Sequence, residues 1–452
     1  MNKERIFKRV DYSAHLEQEI RLGDFVPAKH LAHYIVQVIS ELDLSGFYSK
    51  YGAKGGAAYA PEMLLGLLLY SYATGIFSSR KIERATYESL PHYYLAGGMH
   101  PDHDTLNSFR QNFLEEIKEV FVQVLLYAQE QGHLKLGAIS LDGSKIQADA
   151  SKHSAVSYGR LQELEAQFRQ EIEELLRLSN QAEQEAGADD FSPAYEMELR
   201  QSQLGKLQQA KTVIEERAEE RYQNELAVYA AKVAERADYQ QRTGKKAKGR
   251  PPVAPTAGAQ EKDQYNFTDP ESRIMKQGNG FEQAFNTQAA VCQQSRLVVA
   301  NSLSNQPTDH AQAEPTLKAI PSQLGKPTAA ALDAGYFNLE TLRILTQMGI
   351  DAYIATGRQP HHPDWRRWLQ ATPQPPPDDA SPRLKMTYKL QTALGQAIYR
   401  LRKSTVEPVF GIIKEVLGFR QFSLRGLLKA AGEWNLVCLA YNLKRLHRLE
   451  TA

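Results

Sequence analysis

Cysteine is nearly absent: Cys292 and Cys438 are the only two in 452 residues. So few, so far apart, give neither a disulfide framework nor a cysteine zinc site, and any metal is expected to be held by oxygen or histidine. Long hydrophobic runs are also missing. No stretch of about 18 apolar residues occurs, and the first residues, MNKERIFKRV, carry no apolar signal core. These absences argue against a membrane protein and lead to the expectation of a cytoplasmic one. Excess charge of either sign is lacking too, with 54 Lys and Arg against 53 Asp and Glu for a net charge of +1. The total therefore does not announce a nucleic-acid binder. What is present is a globular composition, 42% hydrophobic and 24% charged with a mean hydropathy of -0.49, in a chain long enough for two or three domains and an ample core.

The charge is unevenly spread. Gln162 to Glu225 is dominated by Glu and Gln, whereas basic residues outnumber acids from Arg383 to Arg448. Basic character gathered on one part of a fold is the footprint sought in a DNA-acting protein.

Residues 1–132 read as an all-α domain for DNA binding or dimerisation. PEMLLGLLLYSYATG is a strongly apolar helix; Ser78 and Ser79 cap an amphipathic helix ending near Leu95; Asp104 or Thr105 can cap a long helix with a buried stripe of Phe109, Phe113, Ile117, Val120 and Val124. His92, His100 and His103 fall in or beside turns and read as structural. At LKLGAISLDGSKIQADAS the period changes: Ile139 and Leu141 alternate with Ser140 and Asp142, a short strand ending where Asp142 meets Gly143. Residues 156–264 read as an insertion, two long charged helices forming a hairpin broken at GADDFSPA, then a basic linker, RTGKKAKGRPPVAPTAG. Within it, Lys248-Gly249-Arg250-Pro251 resembles an AT-hook core that could enter a minor groove.

Strands resume as a hairpin, FNTQAAV and LVVANSL, then a helix over 309–322, the strand of TAAALDAGYF ending at Asp333, a helix over 339–348 and the strand DAYIAT. Residues 359–389 form a proline-rich loop insertion carrying His361 and His362. A final helical stretch, YRLRKSTVEPVFGIIK, sets Val406, Phe410 and Ile413 on a buried face and Arg402, Lys403, Glu407 and Lys414 on or beside a polar stripe. The elements of 133–155 and 265–452 thus make one mixed sheet with helices, an α/β catalytic core. Asp142, Asp333 and Glu407 come from separate elements converging on one edge. Oxygen ligands without cysteine suit Mg²⁺ or Mn²⁺, and two such ions about 4 Å apart can activate an attacking oxygen and stabilise a leaving one in phosphoryl transfer.

LDGSKIQADAS, AALDAGYF and YRLRKSTVEPVFGIIK resemble the catalytic signatures of bacterial insertion-sequence DDE transposases of the IS-four and IS-five-like group. NFTDPESRIM, VVANSLSNQPTDHAQAEPTL and PEMLLGLLLYSYATG with HPDHDTLNSFR resemble further parts of that group, in its order. The resemblance implies a ribonuclease-H-like core in which Asp142, Asp333 and Glu407 are the catalytic acids that hold two Mg²⁺ or Mn²⁺ ions. It implies that Tyr399, Arg402 or Lys403, and Lys414 face the DNA: Arg402 keeps the group's distance from Tyr399, Lys403 its distance to Glu407. Strand cleavage and transfer at the terminal inverted repeats, joining to target DNA, a homodimer assembled on DNA, and nucleoid association within the cytoplasm follow as expectations. Two other readings share these residues: a metal-dependent nuclease without strand transfer, and a domesticated DNA-binding protein whose chemistry is dispensable.

Overall fold

The computed structural model describes residues 21–52, 58–182, 192–246, 249–278, 280–357 and 374–451. Lys248, His361, His362, residues 359–373 of the proline-rich stretch and most of GADDFSPA lie outside the described residues; the end of that stretch, expected to be loop, is helical from Pro382, where the Ser381 hydroxyl accepts the Leu384 N–H and caps the first turn.

The N-terminal region is helical: α1 (Leu31–Ser40), α2 (Ser45–Ser49), α3 (Pro61–Ala73), α4 (Ser79–Glu88), α5 (Leu90–Leu95), α6 (His103–Asn112) and α7 (Leu114–Glu130). In α3, Met63 through Ala73 are all buried, as a helix apolar on every side requires. Two expected helices are each divided. The one after Ser78 breaks at Ser89, whose extended backbone precedes Leu90-Pro91 and so starts α5. The long helix breaks at Phe113, and the cap of α6 is Asp102, whose carboxylate accepts from the Thr105 N–H at 2.6 Å. The apolar stripe runs unbroken across Phe113, which is why periodicity alone reads one helix.

A mixed sheet follows, built from β1 (Ala138–Gln147), β4 (Arg273–Gln277), β5 (Gly280–Cys292), β6 (Val298–Ser304), β7 (Ala329–Leu332) and β8 (Asp351–Ile354). Its order is β4-β5-β1-β7-β8, with β6 also on β5. β4 pairs with the first part of β5 and β6 with the later part, both antiparallel. β1 is antiparallel to β5 and parallel to β7, which is parallel to β8. β2 (Ala155–Ser157) and β3 (Gln264–Asn266) form a separate ribbon at the root of the insertion. That insertion is a hairpin of α8 (Tyr158–Ala182) and α9 (Pro193–Thr243), closed by Glu165–Lys211 at 3.1 Å and Glu171–Arg200 at 3.0 Å around Leu161, Leu207, Ala210 and Ile214. α9 starts at a Ser192 cap with Pro193 in its first turn and stops at Gly244, whose φ of 66° suits glycine.

The remaining helices are α10 (Ala313–Lys318), shorter than the helix expected over 309–322, α11 (Leu339–Gln347), α12 (Pro382–Gln391), α13 (Ala393–Gly411) and α14 (Leu427–Glu450). Nearly every residue of α14 from Glu433 to Leu443 is buried, because it lies between α3, α7 and β6. One hydrophobic core therefore runs from the N-terminal helices through α14 into the sheet. At that junction Glu433 is wholly buried yet satisfied, accepting from Tyr72 Oη at 3.0 Å and from the N–H groups of Ser423 and Leu424 at 2.9 and 3.0 Å, with Arg110 Nη1 at 3.4 Å. Trp434 beside it stacks on Phe410 of α13 and donates to the Gln288 carbonyl at 3.0 Å. α14 thus couples the helical region to the helix and strands that carry the site.

Candidate active site

β1 does not end at Asp142. It runs on to Gln147, paired with β5 throughout, while its parallel pairing with the shorter β7 stops at Leu141 opposite Leu332. The next residue on each strand is an aspartate, so the register sets Asp142 beside Asp333 where β7 gives way to a turn. Asp333 caps that turn, its carboxylate accepting the Ala334 N–H. Alternation along β1 puts Ser140, Asp142 and Ser144 on one face. α13 and its continuation cover that face: Thr405 donates to Ser140 Oγ at 2.8 Å, Arg402 reaches Asp142, and Lys414 donates to Ser144 Oγ at 2.5 Å and the Lys145 carbonyl at 2.8 Å.

Arg402 is the hub. Nη1 lies 2.8 Å from Asp142 Oδ2 and Nη2 lies 3.1 Å from Glu407 Oε1, so one guanidinium links two of the three acids. Its side chain is 7% exposed, against 19% for Asp142 and 47% for Glu407. The expected polar stripe therefore needs correcting for Arg402, which is buried because Asp142 neutralises it from the strand. Tyr399, also buried, lies under the same guanidinium with 5.8 Å between Arg402 Cζ and its ring centre. Lys403, the other candidate for the arginine position, points to solvent and touches neither acid. Val406, Phe410 and Ile413 are buried as their spacing predicts.

Burial pushes the Asp142 carboxyl up to about 6, against the opposing pull of Arg402 and the Gly143 N–H, and Asp333 and Asp309 add to the rise. Burial raises Tyr399, and it lowers Lys414 with help from Arg420 and Lys145. Pro408 sits inside α13, and Ile412–Val416 winds as a π-helix, with Leu417 N–H donating to the Ile412 carbonyl. Such π segments often accompany functional residues because they re-aim the side chains they carry. Here the segment brings Lys414 onto β1.

Among the described residues no three His, Cys, Asp or Glu side chains stand close enough together to hold a metal ion. Asp142 and Asp333 are adjacent, and Glu407 joins them through Arg402. The donor set nonetheless suits a hard divalent cation: carboxylate oxygens only, with Asp142 resisting ionisation in a buried setting where neighbouring acids repel its charge. Arg250 is exposed on the linker, where its carbonyl accepts from Arg236, far in sequence from the acids.

Residues 252–443 match the family model described as Transposase DDE domain, and residues 20–112 match the one described as Transposase domain (DUF772). The chain belongs to the insertion-sequence DDE transposases. Family membership makes this transposase a nucleotidyl-transfer enzyme of DNA transposition with DNA as its substrate. The first match spans Asp333, Tyr399, Arg402, Glu407 and Lys414; Asp142 lies between the two matches, and only the β1/β7 register brings it to the others. No curated protein and no solved structure matches the chain.

Two polar groups that sequence reading passed over are prominent here. Asp309 stands close enough to raise Asp142, and Tyr336 hydrogen-bonds Gln288 beside it. Asn286 and Gln288, polar residues two apart and so on one face of the FNTQAAV strand, were the available signal. The histidines of the N-terminal region are structural: His92 is buried between Ser89 and Ser71, which lowers it to about 4, and His103 pairs with Glu83 at 2.8 Å. No described helix is long and apolar enough to cross a membrane.

Proposed function

We propose that this transposase cuts the phosphodiester bond at the ends of its insertion sequence and transfers the released 3′-hydroxyl to target DNA, using Asp142, Asp333 and Glu407. The observation that carries the reading is the parallel register that sets Asp142 beside Asp333, with Arg402 tying Glu407 to the pair. Asp142 and Asp333 would hold divalent cations, Mg²⁺ or Mn²⁺, with Glu407 completing the set. When bound, such ions supply charge stabilisation for the attacking and leaving oxygens. The chain's own part is positioning: β1 and β7 fix the aspartates, while Arg402 offers a rigid, planar donor fork suited to a DNA phosphate once it leaves the carboxylates. Lys403, exposed next to it, supplies a further phosphate contact, and Arg250 and Lys248 of the linker add minor-groove contacts. Tyr399 braces Arg402. Lys414 is engaged by β1 and orients the helix of Glu407.

Joining two ends asks for two active sites, so a homodimer on terminal inverted repeats is part of the proposal, as is a cytoplasmic, nucleoid-associated location. The test is a strand-transfer assay with a labelled inverted-repeat end and a target plasmid. Joined product supports the transposition chemistry; cleavage without joining favours a nuclease. Glu407→Gln should retain end binding and lose cleavage, and retained cleavage would remove Glu407 from the site.

A further inference from the structure

On the other face of β1 from Arg402, Gly143 and Lys145 lie opposite Gln288 and Asn286 of β5. Asp309, from the loop after β6, sits over these four. Its Oδ1 accepts from Asn286 Nδ2 at 2.8 Å, Gln288 Nε2 at 2.9 Å and Lys145 Nζ at 3.2 Å. Among the described residues Oδ2 receives no hydrogen bond. Asn286 also donates to the carbonyls of Gln306 and Thr308, so the loop is pinned from below.

Glycine makes room for this carboxylate beside Asp142, and the Asp333 turn comes within ordinary contact of it. A Cβ on Gly143, next to Asp142, would lie 2.7 Å from Asp309 Oδ1 and 2.2 Å from Gln288 Nε2. A Cβ on Gly335, two residues after Asp333, would lie 3.8 Å from Asp309 Oδ2. The aspartate is therefore packed behind the pair at the point where β7 ends and the sheet opens. Its free oxygen faces the Asp333 turn.

We propose that Asp309 is a positioning residue of the active site, a fourth carboxylate whose charge and three-donor clamp hold Asp142 and Asp333 ready to receive a divalent cation. The inference rests on the reading of those two aspartates as cation ligands. Because all three donors converge on one oxygen, an asparagine can keep them while losing the charge. Lys145 opposes that charge from 3.2 Å. The two residues should then act on cation binding with opposite signs, whereas a clamp that only holds the fold would make both substitutions weaken it.

The experiment is Mn²⁺ titration of the full-length protein without DNA, followed by the electron paramagnetic resonance of the free ion. Asp309→Asn is expected to weaken Mn²⁺ binding roughly tenfold, in the range seen when groups behind metal ligands are removed, and Lys145→Gln to tighten it. Unchanged affinity in Asp309→Asn, or weaker binding in both variants, overturns the proposal. Should Asp309→Asn fail to fold, Lys145→Gln decides alone: tighter binding supports the proposal, and unchanged or weaker binding overturns it. Asp142→Asn separates this inference from the one beneath it. If that variant loses Mn²⁺ while Asp309→Asn does not, only Asp309 is removed; if it binds as the wild type does, the cation site itself is wrong and the role of Asp309 falls with it.

Discussion

Replacing Arg402 by methionine keeps most of the side-chain volume and removes the guanidinium that touches both Asp142 and Glu407. The magnitude follows from burial. Arg402 and Asp142 are 7% and 19% exposed and 2.8 Å apart, and breaking a buried pair by deleting one partner costs about 3–5 kcal/mol because the other charge is left uncompensated. Glu407, half exposed, contributes little to that figure. The cost must depend on pH. Asp142 already titrates at about 6, above the ordinary 3.8. A carboxyl raised in this way binds its proton more tightly folded than unfolded, so its contribution to stability falls as pH climbs from about 4 to about 6. Without Arg402, the strongest influence holding Asp142 down, that fall continues beyond 6. Wild type and Arg402→Met should therefore be close near pH 5, where Asp142 is protonated in both, and separate by about 3 kcal/mol near pH 8, or about 6 °C in Tm at roughly 2 °C per kcal/mol for a large cooperative unit. Differential scanning calorimetry of the metal-free protein across this range reads it directly. A gap that is constant with pH, or widest at pH 5, refutes the ion-pair account.

Asp142→Asn should abolish the wild-type decline of stability between pH 4 and 6, about 3 kcal/mol for the rise from 3.8 to about 6, while leaving Arg402 buried without its carboxylate; a decline in Tm over that range as steep as in wild type would contradict the burial cost assigned to the Asp142 charge. Gly143→Ala should cost about 1–3 kcal/mol, since its Cβ would lie 2.2 Å from the Gln288 amide, and a chemical denaturation midpoint equal to wild type would show that the strand yields freely. Glu433→Ala leaves Arg110 buried without its carboxylate and should lower stability by about 3–5 kcal/mol at the junction between the helical region and the sheet; calorimetry would detect it, and a loss below about 1 kcal/mol would mean that Arg110 is compensated elsewhere.

The succession of β1, β5, β6, β7 and β8 along the chain, the helical hairpin and the buried face of the Glu407 helix were legible in the sequence because each is written in local periodicity. What was not legible depends on partners distant in the chain. Asp142-Gly143 has the form of a turn, and the polar run to Lys145 hides the strand; the strand persists because β5 pairs with it to the end, with Asp142 and Ser144 on the face beneath α13 and Lys145 on the other. Arg402 carries a charge that a helical wheel assigns to solvent, and only Asp142, brought across the sheet, makes burial tolerable. It also resolves which of Arg402 and Lys403 meets the acids. Asp309 lies in a loop without pattern, and its relation to Asp142 exists only once β5 has delivered Asn286 and Gln288 beneath it. β4 escaped notice for a similar reason: five residues with no clear alternation, ordered by the edge of β5.

The central claim is that Asp142 and Asp333, side by side through strand register, act as one unit in the chemistry. Cleavage and joining of a labelled inverted-repeat end in Mg²⁺ should be lost to the same extent in Asp142→Asn, Asp333→Asn and the double variant, with DNA binding retained in all three, because residues that act together are not additive. Cleavage surviving in either single variant, or a double variant markedly worse than both, would contradict it.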